Sequence, residues 1–165
     1  MAKLYAIENK LVKIGNSYLG ELPPPPETYY LFEGWDPNGT SSYYNSFGVY
    51  NFKINGVTPS INGANPTVTE TTSYDGTLEN AIGTAMLEPC RLHYGDDYHT
   101  AEYIKFKADS VSSVSFNMGV MGYPQTNSKT VKTRIYKVVN SVKTLIGEYT
   151  GSSESSTITI NCTDA

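Results

Sequence analysis

The sequence is poor in several features that mark common protein classes. It has 2 cysteines, 2 histidines and 1 tryptophan in 165 residues, and only 17% of its residues are charged. No window approaches the roughly 18 apolar residues of a transmembrane helix, and the N-terminus lacks the apolar core of a signal peptide. We therefore expect a chain that does not cross a membrane and is made in the cytoplasm without a signal peptide.

We also expect neither a disulfide bond nor a positive electrostatic potential over the whole protein. In a reducing compartment, two distant cysteines such as Cys90 and Cys162 are more often free thiols than a bridge. The net charge is −4 and the pI is near 5.1, so no overall field attracts phosphates or an anionic bilayer. We therefore expect no nucleic-acid partner and no membrane insertion.

Catalytic motifs are missing as well, including G-x-S-x-G, the Walker loop and the dinucleotide fingerprint. The densest polar stretch, residues 88–100, contains Cys90, His93 and His99, but their spacing is not that of a structural zinc site. A nucleophile–base pair of Cys90 and His93 would need an orienting third group. Adjacent carboxylates at 96–97 would face opposite ways on a strand, unlike a glycosidase pair. We predict a solvated loop, with no metal, no cofactor and no enzymatic activity.

Period-two alternation is frequent, whereas helical periodicity is hard to find. It is clearest between residues 101 and 162, where turn residues separate five apolar-polar segments. These segments predict an antiparallel meander in an all-β, jelly-roll-like sandwich covering residues 27–165. The predicted strands are 101–108, 111–122, 130–139, 142–149 and 157–162. The predicted core residues are Ile104, Phe106, Val114, Phe116, Met118, Val120, Ile158 and Ile160.

In the first half of the sandwich, the elements are predicted from shorter sequence patterns. Residues 28–33 and 47–54 predict strands, and Asn55-Gly56 predicts a tight hairpin turn. Residues 78–87 fit either one interrupted helix or a loop with one strand.

The first 22 residues form a unit of their own that predicts three very short strands. Such a small piece is marginal in water by itself. It either pads the edge of the sandwich or docks on another chain. Its apolar residues, the candidates for attachment and oligomerisation, are Leu4, Ile7, Leu11, Val12, Ile14 and Leu19.

Four consecutive prolines, residues 23–26, follow this segment. Polyproline II would make them a stiff spacer of roughly 12 Å, at about 3.1 Å per residue. A strut between an anchor and a projecting domain is one interpretation, and a proline-rich loop inside one globule is the other.

Aromatic residues in predicted loops are the candidate binding residues. Such rings can stack on sugar faces or anchor a protein contact at low entropy cost. They can also simply cover the ends of a sandwich. The candidates are Trp35, Tyr43, Tyr44, Tyr94 and Tyr98.

The motif at residues 4–7 and 10–16, LYAI followed by KLVKIGN, resembles short N-terminal attachment segments of bacteriophage virion proteins. The stretch 111–136 is similar to jelly-roll modules shared by viruses and carbohydrate-binding proteins. The resemblance implies a non-enzymatic structural protein of a phage head fibre, decoration or tail appendage. It also implies location on the virion, commonly as a homotrimer.

We expect three partners: further copies of this chain, a larger particle protein and a glycan. The apolar segment 1–22 must be covered, which predicts a homotrimer or contact with a larger particle protein. A host-surface glycan is the expected ligand of the displayed sandwich. The alternative is a carbohydrate-binding module that is not attached to a virion.

Overall fold

The computed structural model describes residues 6–7, 10–11, 23–35, 46–72, 77–83, 90–93, 102–121, 130–152 and 157–164. Nearly every regular element in them is a strand, so the predicted all-β class is confirmed. The elements are β1 (Ala6–Ile7), β2 (Lys10–Leu11), β3 (Thr28–Trp35), β4 (Ser46–Ile54), β5 (Ser60–Ile61), β6 (Thr67–Thr71), α1 (Leu78–Ile82), β7 (Cys90–His93), β8 (Glu102–Lys107), β9 (Ser113–Met121), β10 (Thr130–Val139), β11 (Val142–Ser152) and β12 (Ile158–Asn161).

Two sheets form a sandwich-like arrangement. The order of the six-stranded sheet is β11-β10-β3-β8-β6-β5, and that of the four-stranded sheet is β12-β9-β4-β7. Neighbouring strands are antiparallel except for β5 and β6, which are parallel. The sandwich prediction is therefore confirmed, whereas its finer jelly-roll form stays a prediction.

The core lies between these sheets because alternate strand residues point to the same face. Four phenylalanines meet there: the ring centroids of Phe32 and Phe116 are 4.9 Å apart, and Phe52 contacts both Phe32 and Phe106 edge to face. The side chain of Val120 is outside the described residues. The predicted core residues that are buried are Ile104, Phe106, Val114, Phe116, Met118, Ile158 and Ile160.

The predicted meander is wrong, although all five of its strands exist. Of these five strands, only β10 and β11 form a hairpin with each other; β8 pairs with β3 and β6, and β9 pairs with β4 and β12. The connection between β8 and β9 crosses from one sheet to the other, and Val111 within it is buried. Alternation shows which side chains face the core, but it does not show which strand lies beside which.

The C-terminal tail closes one side of the sandwich. Cys162 donates its backbone N–H to the Ser112 carbonyl at 2.8 Å, and Thr163 donates to the Ile146 carbonyl of β11 at 2.8 Å. A Cβ on Gly147 would lie 2.7 Å from Ile160 Cγ2, so the close approach of β11 to β12 requires glycine there. The tail therefore joins the edges of the two sheets.

The short helix α1 contacts β4, β6 and β7, on the other side of the sandwich. Ala81 is buried in the core, and the Gly83 carbonyl accepts a hydrogen bond from Asn51 N at 2.8 Å. Thr77 caps the helix by accepting from Asn80 N. Of the two interpretations of residues 78–87, a helix is correct for 78–82, and residues 84–89 are outside the described part.

Near the N-terminus, β1 and β2 pair with each other as a separate two-stranded sheet. They lie within the first two of the three predicted short strands, and the third falls outside the described residues. The prolines at 23–26 are exposed and belong to no strand, and β3 begins at Thr28. The division into segment 1–22, linker 23–26 and domain 27–165 stays a prediction.

Candidate functional site

Most side chains that the sequence singled out lie outside the described residues. Tyr43, Tyr44, Tyr94 and Tyr98 are among them, as are Leu4, Val12, Ile14, Leu19, Asp96, Asp97 and His99. The structure describes only the backbone at the remaining candidates. Trp35 ends β3, and Cys90 and His93 are the first and last residues of β7. In the β1–β2 sheet, Ile7 is opposite Lys10 and Leu11 is opposite Ala6.

Three tyrosines that the sequence analysis did not single out share the outer face of the six-stranded sheet. Tyr30 and Phe32 face the core, so their neighbours Tyr29, Leu31 and Glu33 point to the opposite face of the sheet. Leu31 and Glu33 are buried on that face, and Tyr29 is partly exposed. The outward-facing partners follow from strand register: Leu31 is opposite Tyr136 and Lys105, Glu33 is opposite Arg134 and Tyr103, and Tyr29 is opposite Val138. We call Tyr29, Tyr103 and Tyr136, with the charged residues among them, the tyrosine face.

Two lysines lie over rings of this face. Lys105 Nζ is 4.1 Å from the centroid of Tyr29, and Lys143 Nζ is 4.9 Å from that of Tyr136. Lys143 extends across β10 to an ion pair with Glu33 on β3, whose carboxylate is mostly buried. One face of each of these two rings is therefore occupied by a lysine of the same chain.

Charged groups also hold the hydroxyl of Tyr136. Its hydroxyl accepts from an Arg134 terminal nitrogen at 3.3 Å, and Arg134 Nε donates to Glu148 Oε2 at 2.6 Å. That bond lowers the pKa of Glu148 and raises that of Arg134. Lys132 Nζ is 3.7 Å from the same carboxylate. The pair stays ionised near neutral pH, so the ring is held in one orientation.

Tyr103 is fixed in a similar way on β8. Its hydroxyl donates to Glu70 Oε1 at 2.6 Å, and this hydrogen bond to a carboxylate, together with burial, raises its pKa to about 12. Tyr103 therefore presents a neutral phenol beside a charged acceptor. Alternation could have indicated Tyr29 and Tyr103 singly, but only strand pairing brings them beside Tyr136.

A second polar cluster lies at the core side of the sandwich and is centred on Asp164, just after β12. Its Oδ2 accepts from the Tyr30 hydroxyl at 2.7 Å and from Val111 N at 2.8 Å, while Oδ1 accepts from Lys137 Nζ at 2.6 Å. Burial alone would raise the pKa of Asp164, but the donors Lys137, Tyr30 and Val111 outweigh it and lower that pKa. We call these four residues the Asp164 cluster.

The neighbours of Asp164 are changed in the opposite direction. Burial, followed by the hydrogen bond to Asp164, raises the pKa of Tyr30 far above its ordinary value, so its hydroxyl remains a donor. Burial also raises the pKa of the Cys162 thiol to about 11. No local pattern in the sequence indicates this cluster, because Asp164 follows the last strand and its partners come from three distant segments.

The described residues contain neither a metal-binding cluster nor a membrane-spanning helix. No group of three or more His, Cys, Asp or Glu side chains in this part of the chain could hold a metal ion. No helix there is long and apolar enough to cross a membrane.

Comparison with known proteins adds no relative: no protein-family model, no curated protein and no solved structure matches the chain.

Proposed function

We propose that this chain is a non-enzymatic structural protein of a bacteriophage particle, in the manner of a head fibre, decoration protein or tail appendage. Its N-terminal segment anchors it, and its β-sandwich is displayed outward. The observation that carries the proposal is the exposed run Pro23–Pro26, which stands between a separate two-stranded sheet and the first strand of the sandwich.

The end of the proline run is fixed to the sandwich. The Glu27 carbonyl accepts from Asn140 N at 3.2 Å, and the Glu27 carboxylate is 3.8 Å from Lys105 Nζ. A stiff spacer held at its exit transmits the orientation of an anchor to the domain beyond it. This arrangement suits a domain that projects from a particle.

The test compares the full chain with a chain that starts at Glu27. Light scattering should show a homotrimer for the full chain and a monomer for the shortened one, because residues 1–22 carry the apolar side chains that need covering. Association with purified particles should be lost together with the segment. A full chain that stays monomeric at high concentration, with residues 4–19 protected from hydrogen exchange, would contradict the anchor.

The tyrosine face favours a second candidate function, the binding of a host-surface glycan. Tyrosine rings can stack on sugar faces, and the lysines that lie over Tyr29 and Tyr136 can donate to sugar hydroxyls. A carbohydrate-binding module without a virion would use the same face, but it would not need the segment before the prolines.

Glycan-array binding separates these possibilities. Tyr29→Ala and Tyr136→Ala should abolish any signal, whereas Tyr50→Ala, on the four-stranded sheet, should leave it unchanged. Binding that survives deletion of residues 1–26, with no particle association at any stage, would favour the free module. If all three variants bind glycans as well as the wild type does, the binding site does not lie on the tyrosine face.

A further inference from the structure

We propose that Lys137 and Asp164 form an intramolecular isopeptide bond, a covalent cross-link between β10 and the C-terminal tail. The Nζ atom of Lys137 is 2.6 Å from Oδ1 of Asp164. The Asp164 side chain is only 3% exposed, and that of Lys137 is 26% exposed. The amine and the carboxyl group are therefore in contact, and the carboxyl group is shielded from bulk water while the lysine side chain is partly exposed.

The second carboxylate oxygen has the surroundings that acyl transfer requires. Oδ2 of Asp164 accepts from the Tyr30 hydroxyl at 2.7 Å and from the Val111 backbone N–H at 2.8 Å. Two donors at these distances on one oxygen form an oxyanion hole, which stabilises the charge of a tetrahedral intermediate. The attacking amine thus contacts Oδ1 of Asp164, whereas the two oxyanion donors contact Oδ2.

The reaction needs no other reactant. One proton moves from the Lys137 ammonium to Oδ1, and the neutral amine then attacks Cγ of Asp164. The negative charge develops on Oδ2, where Tyr30 and Val111 donate. The Cγ–Oδ1 bond breaks, Oδ1 leaves as water with two of the three ammonium hydrogens, and the third stays on the amide nitrogen.

The positions of Lys137 and Asp164 in the fold support the cross-link, and their surroundings indicate how fast it forms. The two residues are 27 apart in sequence, and strand register places Lys137 opposite Tyr30 on the core side of β10. Burial makes the neutral amine and carboxylic acid of Lys137 and Asp164 less unfavourable relative to their ion pair. The hydrogen bonds from Tyr30 and Val111, however, favour the ionised carboxylate. We therefore expect the bond to form slowly, after folding has assembled the cluster.

The matched comparison within this protein is Lys143 with Glu33. That pair is also an ion pair, but the Lys143 side chain is 46% exposed. Among the described residues, Glu33 has no pair of donors on its second oxygen like Tyr30 and Val111. Lys143 should stay an ordinary amine.

Intact mass spectrometry of the full chain tests the proposal directly. After prolonged incubation, the mass should be lower than that of the sequence by one water. Tryptic digestion should give a branched peptide in which Lys137, resistant to cleavage, is joined to the C-terminal peptide that contains Asp164.

Variants make the result specific. Lys137→Arg keeps the positive charge and should show the full mass, Asp164→Asn should lose one ammonia instead of one water, and Tyr30→Phe should slow the reaction. Lys143→Arg should still lose one water. An aged, folded wild-type chain of full mass, with Lys137 and Asp164 recovered in separate linear peptides, would overturn the proposal and leave the contact as an ion pair.

Discussion

Two buried polar side chains in this sandwich differ sharply in how their hydrogen bonds are satisfied. Asp164 has three donors on its two oxygens. Thr133 is fully buried on β10, and its Oγ1 has no hydrogen-bond partner among the described residues. A bonded carboxylate holds its neighbours in place, whereas an unpaired buried hydroxyl costs free energy.

Replacing Thr133 by valine should therefore raise the free energy of unfolding by about 1 kcal/mol, because the hydroxyl is lost while the side chain keeps its shape. Chemical denaturation of the variant and the wild type measures the difference. Thr133→Ser is the control: it keeps the hydroxyl, loses the buried methyl group and should lower stability. A less stable valine variant would show that Oγ1 has a partner after all.

Removal of the Asp164 carboxylate should have a pH-dependent cost. In chains of unmodified mass, Asp164→Ala should lower the free energy of unfolding by about 2 to 3 kcal/mol near neutral pH. Because folding lowers the pKa of Asp164, its contribution is complete above the ordinary value of 3.8 and is lost as pH falls through the folded value. Denaturation at several pH values measures the gap between variant and wild type.

That gap should narrow as the solution is acidified below pH 3.8. Asp109→Ala removes an exposed carboxylate in the same region that, among the described residues, accepts only an exposed hydrogen bond from Asn65 at 3.2 Å, and should change stability by about 1 kcal/mol or less. A constant gap between Asp164→Ala and wild type down to strongly acidic pH would mean that the carboxylate is not ionised in the fold.

Among the elements, two tight turns have the same backbone form but different residues. Asn55-Gly56 has φ values of 52° and 77°, and Asn140-Ser141 has 50° and 66°. Both match the type I′ hairpin turn, in which each central residue has positive φ. Glycine adopts this region freely, whereas serine does so at a cost.

Ser141→Gly should therefore raise the free energy of unfolding by about 0.5 kcal/mol, since relief of strain exceeds the added entropy of the unfolded chain. Thr144→Gly in the exposed, extended part of β11 is the matched control and should lower stability by about 0.5 to 1 kcal/mol. Thermal and chemical unfolding of the two variants check this pair. A loss of stability in both would mean that Ser141 is not strained.

At the scale of the whole molecule, one core joins both sheets. Phe116 of the four-stranded sheet and Phe32 of the six-stranded sheet have ring centroids 4.9 Å apart. Because neither sheet can cover its apolar face without the other, we expect them to unfold in one cooperative transition.

Phe116→Ala should lower the free energy of unfolding by about 3 to 5 kcal/mol, since it leaves a cavity between the sheets. The neighbouring Ser115→Ala points to the other face of β9 and should change stability by about 0.5 kcal/mol or less. Circular dichroism and tyrosine fluorescence should give the same midpoint. Separate midpoints would contradict a single core.

Much of the fold could be predicted because period-two alternation is a local property of the chain. Spacing alone predicts several core residues correctly, namely Ile104, Phe106, Val114 and Phe116. Asn55-Gly56 likewise indicates its turn, since the required φ values suit those two residues. The helix at 78–82 was one of two alternatives, because five residues are too few for a clear helical period.

The sequence by itself determined the all-β class, the faces of the strands and the position of a tight turn, since each depends on neighbouring residues. Only the tertiary structure decided which strands pair, and hence that β8 and β9 belong to different sheets. It alone brought Tyr29, Tyr103 and Tyr136 to one face and placed Asp164 against Lys137, 27 residues away. Such contacts depend on the register and closure of whole sheets, which no local pattern encodes.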